Sequence, residues 1–209
     1  MKMTTSFLLI VVLFVGFAQI AYGQRQIEVI TGLTTMYAAD PLTQSICFRD
    51  GGHGHVFESG RAVNRCSDLN FGSYSADGFS TGVEGSRKGV LIDLGDADQL
   101  KARYGYTETV GKGQGYASII VKNAMALIAK DSRVGTLQEM AESTELFRSP
   151  EKNMSSVPVN VGHIYLLRIT DPSDKTFELL AKLIVVGHVP NESVTMRWQI
   201  LPNLYVTKN

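Results

Sequence analysis

The densest group of chemistry-bearing side chains is Gly51-Gly52-His53-Gly54-His55, two histidines one residue apart on glycines. In an extended segment His53 and His55 can point the same way, and neutral imidazole is a common metal ligand. Cys47 and Cys66 lie close by in sequence, so a Cys/His zinc site or a metal-assisted hydrolase is one reading. The spacing C-x5-H-x-H-x10-C fits none of the usual closed zinc patterns. The plainer reading is a surface turn with solvated histidines.

Other residues raise similar pairs of readings. Gly111-Lys112-Gly113-Gln114-Gly115 is glycine-rich as phosphate loops are, but it meets neither the dinucleotide nor the P-loop pattern, and a strand is expected after it. A hairpin or bulge is the simpler use. Asp93, Asp96 and Asp98 could gather carboxylates for acid–base work or calcium, whereas helix capping uses Asp96 and Asp98 more simply. His163 and His188 fall within expected strands and read as packed, hydrogen-bonded residues. No serine-nucleophile elbow is expected. Arg168, Lys182 and Arg197 fall on one side of three expected strands, with Thr195, Gln199 and Glu178. That side is either an ordinary solvated face, with long cations lying over apolar neighbours, or a shallow site for an acidic or polyhydroxylated partner.

The compartment bears on these choices. Lys2, the apolar run Phe7–Phe17 and the small residues around Ala21-Tyr22-Gly23 have the three parts of a secretory signal. The run is too short for a span of about 20 residues. Cleavage before Gln24 leaves 186 of the 209 residues, with a formal charge of −1. A secreted or periplasmic location makes a disulfide the default for Cys47 and Cys66. Near-neutral charge argues against nucleic-acid binding and offers nothing to an anionic membrane. No cofactor motif is met. Asn153 and Asn191 head glycosylation sequons.

The elements that must position these residues are mostly strands. A short strand at Gln26–Thr31 leads into a loop running to Pro41. Residues 46–95 break into short strands at Asp50-Gly51-Gly52, Ser59-Gly60, Asp77-Gly78 and Glu84-Gly85-Ser86. A hairpin is expected across Ser59-Gly60, and a strand over Gly89–Leu94. A short helix follows, capped by Asp96 or Asp98, burying Leu100 and Tyr104 and ending at Gly105. Tyr116–Asp131 reads as two strands around Asn123. Thr136-Leu137-Gln138-Glu139 matches a capping box and predicts a second helix over Leu137–Phe147.

Residues 159–201 carry the clearest pattern: three antiparallel strands at Val159–Ile169, Lys175–Val189 and Ser193–Leu201, joined by turns at Asp171-Pro172-Ser173-Asp174 and Pro190-Asn191-Glu192. Val194, Met196, Trp198 and Ile200 alternate against Thr195, Arg197 and Gln199. The expected register sets Leu167 against Leu179, Tyr165 against Ala181, Val185 against Trp198, and Arg168 against Glu178. The middle strand is apolar on both sides and should be covered on both. The class expected for residues 24–209 is one mainly-β domain, an antiparallel sandwich or partly open barrel with one or two short helices. Its expected role is binding or structural, toward an unknown protein, glycan or surface, with the enzymatic reading of the His53/His55 loop as alternative. Exported protein should begin at Gln24, which N-terminal sequencing or intact mass will read.

Overall fold

Period-two alternation makes this chain a protein of strands. The computed structural model describes residues 31–49, 51–64, 66–72, 75–81, 87–105, 119–122, 125–131, 136–139, 155–201 and 203–204. The signal segment, the strand start at 26–30, the turn at 84–86, the Gly111–Gly115 loop and Asn153 lie outside the described residues.

In chain order the first strands are β1 Thr31–Tyr37, β2 Ser45–Cys47, β3 Gly52–His53, β4 His55–Glu58, β5 Arg61–Asn64, β6 Leu69–Phe71, β7 Gly78–Thr81 and β8 Lys88–Asp96. The helix α1, Ala97–Tyr104, follows. Then come β9 Ile119–Lys122, β10 Met125–Asp131, β11 Thr136–Glu139, β12 Ser156–Pro158, β13 His163–Thr170, β14 Glu178–Val189, β15 Ser193–Ile200 and β16 Asn203–Leu204. A central sheet runs β1-β15-β14-β13-β8. One of its faces packs on the sheet β12-β7-β6-β2-β3; the other packs on α1 and the sheet β11-β10-β9-β16. The sheets are antiparallel apart from the short β16–β9 pair, and they do not close into a barrel, as a β sandwich requires.

Two apolar cores result, one on each side of the central sheet. The first joins Met36, Leu183, Val194, Met196 and Trp198 to Ile46, Phe48, Phe71 and Phe79. Trp198 meets Phe48 edge-on with ring centroids 5.2 Å apart, a geometry worth roughly 0.5–1.5 kcal/mol beyond burial. The second joins Val90, Ile92, Ile164, Leu166 and Leu180 to Leu100, Tyr104, Ile119, Val121 and Ile128. β14 is the middle strand of the carboxy-terminal three and contributes to both.

The register differs from the expected one by two residues, and the cause is local. Residues 171–177 form two successive turns instead of one. Asp171 Oδ1 accepts from the Ser173 N–H at 2.8 Å, and Asp174 Oδ1 accepts from the Thr176 N–H at 2.9 Å. β14 therefore starts at Glu178 instead of Lys175 and pairs from Thr170↔Glu178. Leu167 opposes Ala181 rather than Leu179, and Tyr165 opposes Leu183 rather than Ala181. Shifts of two keep every side chain on its face.

The β14–β15 hairpin closes at Val189↔Ser193 and carries a bulge between Val185 and Gly187. Val185 thus opposes Met196, and Trp198 opposes Leu183 instead of Val185. The extra residue changes which parity of β14 faces the first core. Above it His188 stacks edge-on against Phe71; below it Val185, Leu183 and Ala181 turn inward, while Val186 is exposed.

Two segments depart further from expectation. Residues 31–37 were expected mostly as loop but form β1, paired along its length with β15. Thr34 and Met36 point to the core, where Thr34 Oγ1 accepts from Trp198 Nε1–H at 3.0 Å. Tertiary pairing overrides a weak local pattern here. Thr136–Glu139 is a strand, not the start of a helix, because its backbone extends the sheet beside β10; residues 140–147 lie outside the described residues. The helix α1 forms as expected. Asp96 Oδ1 accepts from the Asp98 and Gln99 N–H groups, Leu100 and Tyr104 are buried, and Gly105 ends the helix in left-handed conformation. The expected β9–β10 pair forms and closes at Lys122↔Met125, and β4–β5 forms around Ser59-Gly60.

Gly32 lies flat against the Trp198 ring, where a β-carbon would overlap Cζ2. Gly32→Ala must push the indole out of its site. The expected loss is about 1–3 kcal/mol of unfolding free energy, read as a lower denaturant midpoint at unchanged m-value.

Candidate functional site

The histidine loop is held by its backbone at Gly54. Gly54, between His53 and His55, is pinned by its N–H to Ser45 O at 3.0 Å and by Cys66 N–H to its own carbonyl at 3.3 Å. A β-carbon there would overlap Cys66 O, so the glycine serves a close backbone approach. The loop splits between two sheets: His53 pairs with Ile46, and His55 pairs with Asn64. His53 is exposed, with Nδ1 3.4 Å from Ser45 O. Cys47 and Cys66 form a disulfide, with Cα atoms 5.3 Å apart. Cys47, Cys66 and Asp68 are the one trio of potential metal ligands that converges among the described residues. Its sulphurs are bonded to each other, so no thiolate is left for a zinc site.

The other histidines are tied to carboxylates. His163 Nδ1 lies 3.0 and 2.9 Å from the two oxygens of Asp93. Asp93 also accepts from the Gly95 N–H, while Asp96 caps α1. His188 Nε2 lies 2.7 Å from Asp77 Oδ1, which also accepts from the Asn191 N–H. That backbone donor first, and His188 beside it, hold the Asp77 carboxyl below its usual range. The pair fastens the turn before β7 to the β14–β15 hairpin.

Gly78-Phe79-Ser80-Thr81-Gly82 does match G-x-S-x-G, against the expectation of no such elbow. Ser80 sits mid-strand in β7, buried, with Asn70 and Ser156 opposite. A nucleophile elbow needs a sharp strand-to-helix turn that exposes the oxygen, and β7 offers none.

Arg168, Lys182 and Arg197 do share the second face of the central sheet, but in three different settings. Arg197 is exposed, opposite Ile184 and beside the exposed Leu33 of the edge strand. Lys182 is not a surface residue. It is 1% exposed, between Leu166 and Gln199, because the layer of α1 and β9–β10 covers this face. Burial pulls its ammonium from 10.5 down to about 7. Gln199 is buried beside it, and its Oε1 has no hydrogen-bond partner among the described residues.

Arg168 lies at the rim, in a pocket of about 460 Å³ under the β13–β14 loop. It opposes Leu180, not Glu178, and reaches Glu178 diagonally with Nε 2.7 Å from Oε1. Thr170, Asp171, Pro172, Lys175, Thr176 and Phe177 line the pocket as well. The Arg87 guanidinium lies 4.2 Å from the Phe177 ring centroid, and that of Arg49 lies 5.6 Å away. Arg87 also approaches Asp171 at 3.7 Å and the buried Asp68 at 3.5 Å. Arg49 Nη2 contacts Cys66 Sγ at 2.6 Å. The loop that shapes the pocket is thus braced on the disulfide-bonded segment. Of its residues, Arg168 and Glu178 stood out in the sequence, as an expected cross-strand pair. The Asx-rich run Asp171–Asp174 marked a turn, and nothing local marked Phe177 as its wall.

No known protein family, curated protein or solved structure matches the chain. No helix among the described residues is long and apolar enough to cross a membrane.

Lys182 carries a consequence for stability. Its folded pKa lies below its unfolded one, so between about pH 7 and 10.5 the unfolded chain binds more protons, and stability rises with pH. Tyr165, raised to about 12 chiefly by burial, opposes this only above its ordinary value of 10. From pH 7 to 9.5 the wild type should gain up to about 3 kcal/mol in denaturant titrations. Lys182→Met should flatten that slope.

Proposed function

We propose that the chain is an exported, non-catalytic binding module whose ligand site is the pocket between Arg168 and Glu178. The reading rests on one observation above others: a concave site of about 460 Å³ lined by convergent polar groups and an aromatic wall. That volume lies within the roughly 300–1,000 Å³ typical of small-molecule sites. The bracing of Phe177 and Asp171 by Arg87 supports it, since a rigid wall loses little entropy on binding.

Export is supported by the signal-like amino terminus and by the Cys47–Cys66 disulfide, a bond that persists in oxidising compartments. The non-catalytic part is supported by the use of the candidate chemistry for structure. Asp96 caps a helix, and His163 and His188 pair with carboxylates that also take backbone N–H groups. The metal-assisted enzyme reading of His53 and His55 loses its cysteine ligands to the disulfide.

A fragment library titrated into ¹⁵N-labelled exported protein tests the site. The amides of residues 168–178 should shift together and saturate. Saturable shifts centred instead on the His53 loop, or no saturable shifts at all, would remove the proposal.

A further inference from the structure

The lining of the Arg168–Glu178 pocket points to a ligand class, and we infer that it takes a neutral polyhydroxylated molecule, a saccharide, rather than an ion. This rests on the pocket being the binding site. Two cations, Arg168 and Lys175, and two carboxylates, Asp171 and Glu178, line it, so their formal charges cancel. Arg168 and Glu178 already satisfy each other at 2.7 Å, and Asp171 faces Arg87 at 3.7 Å. An anionic ligand would gain little net field here and would compete with carboxylates for the guanidiniums. A cation would compete with the guanidiniums for the carboxylates.

A hydroxyl has no such conflict. It donates and accepts from one atom, so adjacent hydroxyls can receive from a guanidinium and donate to a carboxylate without separating the pair. Thr170 and Thr176 add hydroxyls at the wall. Phe177 supplies an apolar surface for the C–H face of a sugar ring, and the packed guanidinium of Arg87 holds it in place. Fixed polar pairs beside one aromatic wall suit a ring that is polar at its edge and apolar on its face.

Calorimetry on the exported protein tests this, with cellobiose, chitobiose, lactose and maltose as neutral probes, and glucuronate and inorganic sulfate as charged ones. At least one neutral disaccharide should bind, with affinity changing less than about twofold between low and high salt, because no net charge is neutralised. Arg168→Lys, which keeps the charge but loses the planar fork, should weaken it about tenfold or more. Lys175→Met, at an exposed position, should weaken it severalfold with an unchanged melting temperature. Preference for glucuronate or sulfate with strong salt dependence would overturn the ligand class, while fragment shifts at 168–178 would leave the pocket standing. Binding of none of the six probes, with those fragment shifts intact, would also overturn the saccharide assignment alone. Absence of the fragment shifts would remove both.

Discussion

The architecture depends on β14 being buried on both faces at once. Leu179, Ala181, Leu183 and Val185 fill one core, while Leu180 and Ile184 face the other. A strand in that position cannot slip by one residue, because each side chain would move into the opposite core. The bulge at Val185–Gly187 reconciles this demand with a short hairpin. It lets His188 and Leu183, of opposite parity, face the same core and places Trp198 where β1 can close over it.

Two-sided burial also accounts for the unusual state of Lys182. Its place on the middle strand commits it to the covered face, and the ammonium bears the desolvation cost. Gln199, opposite it, is similarly confined. A polar pair in an otherwise apolar layer weakens that layer but also marks one register among several similar ones, a role buried polar groups can play. Arg168 lies on the same face and escapes burial because it sits at the rim, where the sheet ends in the β13–β14 loop.

That loop is where the scaffold and the candidate site meet. Two Asx turns lengthen it, and Phe177 folds back against the first core. Arg49 and Arg87 then hold it from the disulfide-bonded segment and from the residue before β8. A site on a long loop is ordinarily imprecise, and these cross-links are what stiffen it.

By itself the sequence determined what period-two burial can determine: the mainly-β class, the three carboxy-terminal strands and the faces they present, the hairpin at Ser59-Gly60, the α1 helix with its caps, and the pairing of two cysteines. Each follows from local chemistry, an alternation or a turn residue. The tertiary structure decided what depends on partners distant in the chain. It made residues 31–37 a strand through β15, made Thr136–Glu139 an edge instead of a helix start, and set the register by a second turn after the Asp171–Asp174 one and by a bulge in β14. It also separated Arg168, Lys182 and Arg197 into rim, core and surface, because a second layer covers only part of their shared face. Alternation fixes which side a residue faces, but what lies across from it is fixed only when the layers pack.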